Sequence, residues 1–370
     1  MTRVLHVGKF YPPHHGGMER VLQTVCQASG GMVESHVLVA HTSTKTVEEV
    51  VGGVPVTRVG TIGSAGSVHV APSFARHLRR LTPDFIVLHE PNPWALLSYA
   101  IARPRAPLAI WYHSDVVRPA LQYAFFYAPV ARAAYRRAKC FIVSSPPLGA
   151  GAKPLAAYQS RIRVIPFGID PAPWHRESAP GSYVLFAGRH VDYKGVDVLL
   201  RALAGSTVRA VIAGDGPRRA EWERLAGELG LNGRVTFTGE VADAELTRMM
   251  HGASALVLPS ISRAEAFGYV QLEAMAAGKP VISTDVPSGV SWVNQHGTTG
   301  LVVPAGDPDA LRTAVEAITR DPALQARFGA AGRARVEAEF TIDRLRERLR
   351  RFYEEMALIP VPPRHAETGV

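Results

Sequence analysis

Two glutamates, Glu265 and Glu273, stand with seven residues between them in the second half of the chain. Phe267 and Gly268 lead into an apolar run with helical spacing, which predicts a loop that enters a helix at about Gly268 and then a buried strand over 281–283. Unpaired amides at a helix start suit an anion such as a diphosphate. A carboxylate repels phosphate but accepts hydrogen bonds from hydroxyls, so the pair predicts a ligand with a diphosphate and sugar hydroxyls. Two solvated glutamates that favour the helix dipole would show the same spacing.

Two cations, Arg189 and Lys194, follow the apolar run 183–187 and its Gly188. A helical pattern over 196–203 comes next, so both side chains are expected at the carboxyl end of a buried strand. Cations fixed there would neutralise the charge that develops on a leaving diphosphate and so lower the barrier to its departure. The alternative is that they are two ordinary surface cations.

A third cluster follows the apolar run 108–112, where His113 stands two residues before Asp115. A histidine at the end of a strand fits a general base, and the aspartate would then orient it or cap the next helix. A lone histidine is more often a core or capping residue, so both interpretations stay open at this point.

Two loops of the first half are also candidates for ligand contact. Gly16 and Gly17 allow close approach of the backbone to a ligand, although they also fit an ordinary turn. They lack the spacing of the dinucleotide-binding G-x-G-x-x-G fingerprint. The later loop 89–93 is polar and contains two prolines. Its Glu90 and Asn92 are predicted to face a second substrate, the one that would accept a transferred group.

Short apolar runs alternate with helical patterns along the chain, which is typical of α/β proteins with doubly wound parallel sheets. In the first half these runs are 4–7, 36–39, 85–88, 108–112, 141–143 and 164–165. Ligands bind at the carboxyl ends of the strands in such sheets, so the loops after these runs are expected to form the site.

Length and punctuation predict two domains within the 370 residues. The stretch 164–171, which contains proline and glycine, is interpreted as the link between them. We therefore predict a first domain over 1–168 and a second over 169–340. A basic amphipathic helix is expected over 341–358, followed by a disordered tail over 359–370.

The two cysteines, Cys26 and Cys140, stand in apolar contexts, which fits buried thiols in a reducing compartment better than a disulfide or a metal site. The first strand pattern begins at Arg3, so no signal peptide is expected. No apolar run approaches the roughly 20 residues of a membrane-spanning helix. These features predict a cytoplasmic protein.

The net charge of +9 is concentrated in the first half. Residues 1–168 carry 18 Lys and Arg against 7 Asp and Glu, a net of +11, whereas the remainder is −2. The stretch 118–139 places aromatic residues before a basic cluster, a composition that suits helices lying on membranes. The first half is therefore predicted to bind an anionic membrane surface. A solubility surface, with the aromatic residues in the core, is the alternative.

Taken together, these motifs resemble the GT4 family of retaining glycosyltransferases. The run E-A-F-G-Y-V-Q-L-E from Glu265 to Glu273 resembles the family's E-x7-E element, and G-R-H-V-D-Y-K-G from Gly188 to Gly195 is similar to its G-R-x-x-x-x-K-G element. The resemblance covers essentially the whole chain and implies the GT-B fold, with two facing Rossmann-like domains and a central cleft. The stretch 287–293 departs from the family, which often has paired glycines and an acidic residue there.

The resemblance implies transfer of a sugar from a nucleotide diphosphate to an alcohol with retention of the anomeric configuration. Arg189, Lys194 and backbone amides would hold the diphosphate, Glu265 and His113 the sugar, and Glu273 the ribose. The leaving phosphate itself would take the acceptor's proton. The implied catalytic residues are His113, Glu265, Arg189 and Lys194. The implied donor-binding residues are Gly16, Gly17, Gly188, Arg189, Lys194, Val241, Glu265, Ala266, Phe267, Gly268 and Glu273.

The amino-acid sequences of both motifs look most like those of bacterial mannosyltransferases that build polysaccharide repeat units on a lipid diphosphate. This favours GDP-mannose as donor and a saccharide linked to polyprenyl diphosphate as acceptor, at the cytoplasmic face of the inner membrane. No metal or other cofactor is expected, because GT-B enzymes of this kind need none. A UDP-sugar donor and a nucleotide-sugar 2-epimerase are alternatives. A non-catalytic binder of anionic surfaces or nucleic acid is a further alternative, but it would leave four residues unexplained: Glu265, Arg189, Lys194 and His113. Nucleic acid is therefore not expected as a partner.

Overall fold

The computed structural model describes residues 1–14, 16–65, 68–115, 127–175 and 181–360. These residues form an α/β structure with two large, mainly parallel sheets, one from each half of the chain. Helices cover the faces of both sheets, so the predicted fold class is confirmed.

The first sheet is parallel apart from an antiparallel pair at one edge. The strands of the first half are β1 (Arg3–Val7), β2 (Glu34–Ala40), β3 (Val47–Val51), β4 (Val54–Val59), β5 (Gly63–Ala65), β6 (Val68–Val70), β7 (Phe85–Glu90), β8 (Leu108–Tyr112), β9 (Ala138–Val143) and β10 (Ile162–Val164). Their order across the sheet is β10-β9-β8-β7-β1-β2-β4-β3, and β5 and β6 form a separate hairpin. The winding reverses between β1 and β7, where a crevice for ligands is expected.

The second sheet is parallel throughout its described strands. These strands are β11 (Tyr183–Ala187), β12 (Ala210–Ala213), β13 (Val235–Gly239), β14 (Ala253–Leu258), β15 (Val281–Thr284) and β16 (Gly300–Val303). The order β13-β12-β11-β14-β15-β16 places the reversal between β11 and β14. The loops that leave these two strands carry Arg189, Lys194 and Glu265.

The described helices are α1 (Gly17–Ala28), α2 (Phe74–Arg80), α3 (Pro93–Ala102), α4 (Ala128–Arg137), α5 (Pro146–Gly151), α6 (Val196–Ala204), α7 (Arg219–Glu228), α8 (Asp243–Gly252), α9 (Val270–Ala276), α10 (Val290–Val293), α11 (Pro308–Arg320), α12 (Pro322–Glu339) and α13 (Ile342–Glu355). Short 3₁₀ turns span Lys153–Arg161, Ala172–Trp174 and Asp192–Lys194. None of the helices in the described part of the chain has the length and apolar character that crossing a bilayer requires.

Alternate residues of the first sheet face different helical layers, as the two-residue period of a strand dictates. Val87 and Trp111 belong to the core that α1 and α13 cover, whereas Ile86 and Ile110 belong to the core under α2, α3 and α4. Burial on both faces explains why β8 and the first four residues of β7 are apolar without interruption.

The last helix, α13, returns from the second half of the chain to the first sheet. The Tyr353 hydroxyl lies 2.8 Å from that of Ser29, and Arg346 donates to the carbonyl of Gly30 at 2.9 Å. At the return point, the amide of Ile169 donates to the carbonyl of Phe340 at 2.7 Å. The two segments that connect the halves are therefore hydrogen-bonded to each other.

Some details differ from the sequence predictions. Helix α9 begins at Val270 rather than at about Gly268, because the φ of Gly268 is +71° and excludes it from a right-handed helix. Cys26 and Cys140 are buried free thiols, as predicted. Most of the predicted tail, 361–370, and the segment 116–126 with most of the predicted membrane-facing aromatic residues lie outside the described residues. The division into domains at residue 168 stays a prediction.

Candidate active site

Lys194 and Glu265 form an ion pair at the carboxyl ends of the neighbouring strands β11 and β14. The Nζ of Lys194 lies 2.6 Å from Oε2 of Glu265, and the Ser260 hydroxyl donates to the same oxygen at 3.0 Å. Burial opposes the charge of Lys194, but Glu265 and Tyr193 together outweigh this effect, so the pKa of Lys194 is raised. The lysine is therefore charged at neutral pH, and it holds the Glu265 carboxylate in one orientation.

The turn that carries Lys194 is held by one glycine and one backbone hydrogen bond. Gly195 has a φ of +65°, and a Cβ on it would lie 2.1 Å from the carbonyl oxygen of Pro259. The amide of Ile261 donates to the carbonyl of Tyr193 at 2.9 Å. These contacts tie the turn to the segment that follows β14, so the two charges of the ion pair are positioned together.

The stretch 287–293 supports the Glu265 loop from the other side. The Ser288 hydroxyl donates to the carbonyl of Glu265 at 2.6 Å, and the amide of Gly289 donates to the carbonyl of Ala266 at 2.8 Å. Sequence reasoning identified neither Ser288 nor Ser260, because a single hydroxyl outside a motif gives no signal of such a contact.

A cleft of about 540 Å³ opens between the carboxyl edges of the two sheets. The structure brings together there most of the predicted site residues: Gly16, Gly17, His113, Arg189, Glu265, Ala266, Phe267 and Gly268. Lys194 lies behind Glu265, outside the lining of the cleft. The cleft therefore presents a carboxylate backed by a cation, and it draws residues from both sheets.

One wall of this cleft is suited to an anion. Among the described residues, the amides of Ala266, Phe267 and Gly268 donate to no acceptor. The side chain of Arg189 is exposed at the same cleft, and it has no ion-pair partner in the described part of the chain. Unpaired amides and a guanidinium together are the groups that bind phosphate oxygens in proteins.

The opposite wall is the start of α1. Gly17 faces open space, whereas a Cβ on Gly16 would lie 2.1 Å from a carboxylate oxygen of Glu19. Glu19 is buried, and burial raises its pKa against the lowering effect of Lys9 and Arg189. The glycines thus leave room both for the ligand and for this carboxylate, which sequence reasoning did not identify.

A smaller cavity of about 340 Å³ adjoins the cleft and shares Gly16 and Arg189 with it. Gly188, Asp215 and Val241 are among the residues that line it. A ligand that extends from the anion-binding wall would enter this cavity, which is lined by Val241, one of the implied donor-binding residues.

Glu273 lies on α9, but it faces a different cavity from Glu265. Its buried carboxylate forms an ion pair with Arg20 of α1, so it links the two halves of the chain. Burial raises the pKa of Glu273, and Arg20 opposes that shift. The guanidinium of Arg20 also lies 4.7 Å from the ring centre of Tyr269. Sequence patterns did not indicate Arg20, because Arg20 and Glu273 are far apart in the chain.

His113 is the end of a row of three buried histidines from neighbouring strands. Nε2 of His113 lies 2.8 Å from Nδ1 of His89, and Nε2 of His89 lies 3.1 Å from Nδ1 of His6. Trp111 stacks on both His89 and His113, with ring planes 13° and 6° apart. Burial lowers the pKa of His113 to about 3, so its ring is neutral at pH 7.

The residues proposed more weakly from the sequence make structural contacts. Asp115 accepts a hydrogen bond from Tyr112 at 2.5 Å and pairs with Arg263, and His89 rather than Asp115 contacts His113. Glu90 is buried and accepts from the Tyr135 hydroxyl at 2.5 Å. Asn92 caps α3 and donates to the carbonyl of Gly8 at 2.8 Å. The roles of Glu90 and Asn92 toward an acceptor stay predictions, and the burial of these two residues lends those roles no support.

No group of three or more His, Cys, Asp or Glu side chains in the described ranges is arranged to hold a metal ion. Among the described residues that line the cleft, the charged side chains are those of Lys9, Glu19, Arg189 and Glu265.

The sequence of this chain matches two glycosyltransferase family models and several curated relatives. A model described as glycosyl transferase 4-like domain matches residues 16–168, and one described as glycosyl transferases group 1 matches residues 175–335. D-rhamnosyltransferase WbpZ of Pseudomonas aeruginosa is 32% identical over 354 residues, 92% of each chain. O-antigen chain mannosyltransferase C of Escherichia coli is 31% identical over 361 residues, 93% of this chain and 95% of that protein.

A solved structure gives the same fold. Sucrose-phosphate synthase from Thermosynechococcus elongatus superposes with a TM-score of 0.82 at 23% identity, over 96% of this chain and 99% of its own. With two matching family models and two relatives similar over almost their whole length, this chain belongs to the GT4-type glycosyltransferases, and its fold is GT-B.

Proposed function

We propose that this glycosyltransferase moves mannose from GDP-mannose to a saccharide carried on polyprenyl diphosphate, with retention at the anomeric carbon, in the synthesis of a bacterial polysaccharide. The reaction takes place at the cytoplasmic face of the membrane. It uses neither a metal ion nor another cofactor.

The observation that carries the proposal is the Glu265 carboxylate, held 2.6 Å from Lys194 beside the unpaired amides of Ala266, Phe267 and Gly268. In our proposal the carboxylate accepts hydrogen bonds from sugar hydroxyls, while the amides and Arg189 receive the diphosphate. Lys194, which lies behind Glu265, adds positive charge near the bond between the sugar and the diphosphate, the bond that breaks. Fixed charges of this kind stabilise the leaving diphosphate as its negative charge develops.

Proton transfer needs no protein base in this scheme. The acceptor hydroxyl attacks from the face on which the diphosphate leaves, and a departing phosphate oxygen takes its proton. This agrees with the state of His113, because a buried imidazole whose pKa is about 3 is a poor base at neutral pH. In the proposal His113 contacts the sugar instead.

The choice of mannose has its support in the names of the relatives. They describe the transfer of mannose and of D-rhamnose, which is 6-deoxy-D-mannose, so both names denote sugars of manno configuration. Both relatives are similar over more than nine tenths of this chain. A hexose of manno configuration is therefore the donor sugar that we propose.

Ligand-induced stabilisation tests the donor. Melting would be measured in metal-free buffer with GDP, UDP, ADP, CDP and their common sugars. A ligand at about 100 times its dissociation constant adds roughly 2.7 kcal/mol, which shifts the melting temperature measurably. We expect shifts with GDP and GDP-mannose only, followed by transfer of labelled mannose to a polyprenyl-diphosphate saccharide in the presence of EDTA.

Other outcomes would replace parts of the proposal. Shifts with UDP ligands alone would keep the enzyme class and reject GDP-mannose. Conversion of the sugar nucleotide without any acceptor would favour the epimerase. Loss of transfer in EDTA, restored by a divalent cation, would contradict the metal-independent mechanism.

The membrane part of the proposal is supported by one helical face of the first half, formed by α2, α3 and α4. Leu97 and Ile101 are exposed along the outer side of α3. The exposed cations around them are Arg76, Arg79, Arg80, Arg103, Arg105, Arg132, Arg136, Arg137 and Lys139. These three helices contain no Asp or Glu. An apolar strip among cations suits an anionic lipid surface. Tyr127, however, is buried, so it is not part of this surface as the sequence suggested.

Flotation with vesicles tests this surface. We expect the wild type to float with vesicles that contain anionic lipid and to stay behind with neutral vesicles. The double substitution Arg132→Glu and Arg136→Glu should abolish flotation, because each cation near such a surface contributes about 1 kcal/mol. The control is Arg201→Glu with Arg224→Glu, two exposed cations of the second half. Equal loss in both double variants, or equal binding to neutral vesicles, would contradict a defined docking face.

A further inference from the structure

The row of three histidines determines how His113 meets its ligand. We infer that His6 and His89 are positioning residues that hold His113 as the tautomer with the proton on Nδ1, so that His113 donates a hydrogen bond to one hydroxyl of the transferred sugar. The inference rests on the proposed contact between His113 and the sugar, and it adds two residues that do not touch the ligand.

Each ring in the row is neutral at pH 7. Burial lowers the pKa of His6 to about 4 and that of His113 to about 3. Burial, together with the two neighbouring imidazoles, also lowers the pKa of His89 well below its ordinary value. A neutral imidazole has one N–H and one lone pair. The direction of one hydrogen bond in the row therefore fixes the direction of the other.

Two arrangements satisfy both hydrogen bonds. In the first, Nδ1–H of His6 donates to Nε2 of His89, and Nδ1–H of His89 donates to Nε2 of His113. The proton of His113 is then on Nδ1, and Nε2 of His6 keeps a lone pair. In the second, every donor and acceptor is exchanged, so Nε2 of His6 carries a proton and Nδ1 of His113 has a lone pair.

The far end of the row decides between them. Nε2 of His6 is buried and has no hydrogen-bond partner among the described residues. In protein interiors a buried N–H without an acceptor is rarer than a buried acceptor without a donor. The first arrangement is therefore the stable one, and it leaves an N–H on His113.

The Nδ1–H of His113 is the nitrogen group of this ring that is left to contact a ligand in the cleft. His113 is one of the cleft-lining residues, and its Nε2 is occupied by His89. The ring centres of His89 and His113 lie 5.1 Å apart and the two facing nitrogens 2.8 Å apart, so both nitrogens lie near the line between the ring centres and the hydrogen bond lies near both ring planes. Stacking on Trp111 restrains both rings against rotation. His113 thus offers a donor of fixed direction beside Glu265, which offers only acceptors.

Nitrogen NMR of the full-length chain tests the tautomer directly. The protein would be labelled with [15N]histidine and its two-bond proton–nitrogen correlations recorded at pH 7.5, with the His113 signals assigned by their loss in His113→Gln. We expect Nδ1 of His113 to have a pyrrole-type shift and Nε2 a pyridine-type shift. The opposite pattern, or two equivalent nitrogens of a charged ring, would overturn the inference. This measurement needs no donor, so it is independent of the proposal that the donor is GDP-mannose.

Two substitutions of His89 test its action through His113. The amide nitrogen of Asn in His89→Asn comes near the former Nδ1 and can still donate to His113, whereas the side chain in His89→Leu cannot. We expect His89→Leu to lower kcat/KM about 10- to 100-fold and His89→Asn to recover most of it, since a lost hydrogen bond to a substrate hydroxyl has effects of this size. Circular dichroism and thermal unfolding would establish that both variants are folded.

Deoxy donors separate this role from a general structural defect. The donor identified by the ligand panel would be prepared with each sugar hydroxyl removed in turn. We expect the loss in His89→Leu to shrink to less than about 3-fold with one of these donors, the one that lacks the hydroxyl bound by His113. An equal loss with every donor would contradict a positioning role for His89. If the wild type used no nucleotide sugar, the proposed function would fail while the NMR result would still decide the tautomer.

Discussion

The ammonium nitrogen of Lys194 lies 2.6 Å from a carboxylate oxygen of Glu265, although the two residues follow different strands of the second sheet. Their side chains are only 12% and 9% exposed. A charge taken out of water at such a site is tolerated because the other charge is present. The carboxylate proposed to accept sugar hydroxyls and the cation proposed to stabilise the leaving group are therefore parts of one electrostatic unit.

Breaking this unit is expected to affect stability and turnover differently. Glu265→Gln or Lys194→Met alone should lower the free energy of unfolding by about 2–4 kcal/mol, because each leaves one buried charge without a partner. The double variant should regain at least half of that loss. Turnover should fall by at least about 100-fold in all three variants, as expected when a group that stabilises the transition state is removed.

Chemical denaturation and steady-state kinetics on the same preparations would check this. Near-normal turnover in the double variant would show that the pair serves stability alone. Full activity in either single variant would contradict the role assigned to that residue.

Glu273 is expected to determine how the enzyme recognises ribose. If its carboxylate accepts hydrogen bonds from the ribose hydroxyls, the wild type should bind GDP about 10- to 100-fold more tightly than 2′,3′-dideoxy-GDP, since hydrogen bonds to a charged group are worth about 1.5–3 kcal/mol. Glu273→Gln should reduce this ratio to less than about 3-fold. Titration calorimetry of the wild type and of Glu273→Gln measures both affinities. An unchanged ratio in Glu273→Gln would assign the carboxylate to its ion pair with Arg20 alone.

Gly195 is expected to be essential to the Lys194 turn, and the chain offers a matched control. Gly195 and Gly230 have nearly the same φ, +65° and +67°, but a Cβ would collide with Pro259 only at Gly195. Gly230→Ala should therefore cost about 1–2 kcal/mol, the effect of the backbone conformation alone. Gly195→Ala should cost more than that and should also reduce turnover, because the turn must move. Equal losses of stability with normal turnover in both variants would contradict this account of the turn.

Glu90 is expected to make the protein less stable as the pH rises. Burial raises the pKa of Glu90 to about 7 from an ordinary value of 4.5. The folded state thus favours the protonated form, whose advantage is complete below pH 4.5 and is lost as the pH passes 7. Glu90→Gln keeps an oxygen for the Tyr135 hydroxyl and cannot ionise. Relative to the wild type, it should gain up to about 3 kcal/mol between pH 4.5 and pH 9.

Denaturation curves across that pH range measure the difference between the two proteins. A constant difference would show that Glu90 does not titrate with a raised pKa. The comparison removes contributions of other groups, such as the three neutral histidines, whose effect is common to both proteins.

Some parts of the site are predictable from local sequence. Glu265 and Arg189 each follow an apolar run that ends in a loop, and parallel strands bring such loops to the same edge of a sheet. The structure accordingly places both at one cleft. Lys194 was expected to face that cleft too, but its direct contact with Glu265 depends on the order of β11 and β14, which no local pattern contains.

Other parts depend on register and are not predictable in this way. The contact of His89 with His6 and His113 follows from the pairing of three strands, in which His6 lies opposite Val87 and His89 opposite Trp111. A sequence pattern gives the direction of each side chain but not the partner across the sheet. Arg20 and Ser288 lie outside the strands, and they were not predicted because each contacts a residue that is distant in the chain.

The fold also shows where periodicity gives no signal. The residues of β3 are almost all exposed, and Glu48 and Glu49 interrupt its valines, so this edge strand lacks the continuous apolar run that identifies its buried neighbours. It pairs with β4 in an antiparallel hairpin that the sequence pattern does not predict. Edge strands are commonly short and charged, which limits their aggregation and also conceals them from pattern analysis.

The return of α13 to the first sheet has a consequence for motion. The chain passes between the halves twice, and the two passages are joined where the amide of Ile169 meets the carbonyl of Phe340 and the amide of Ile342 meets the carbonyl of Ile169. A double connection of this kind resists twisting and sliding of one half of the chain against the other. It still permits a hinge rotation about the line through both passages. Opening of the cleft would therefore separate two ion pairs, Arg20 with Glu273 and Arg263 with Asp115, by rotation about one axis. Closure would re-form both ion pairs with the same geometry.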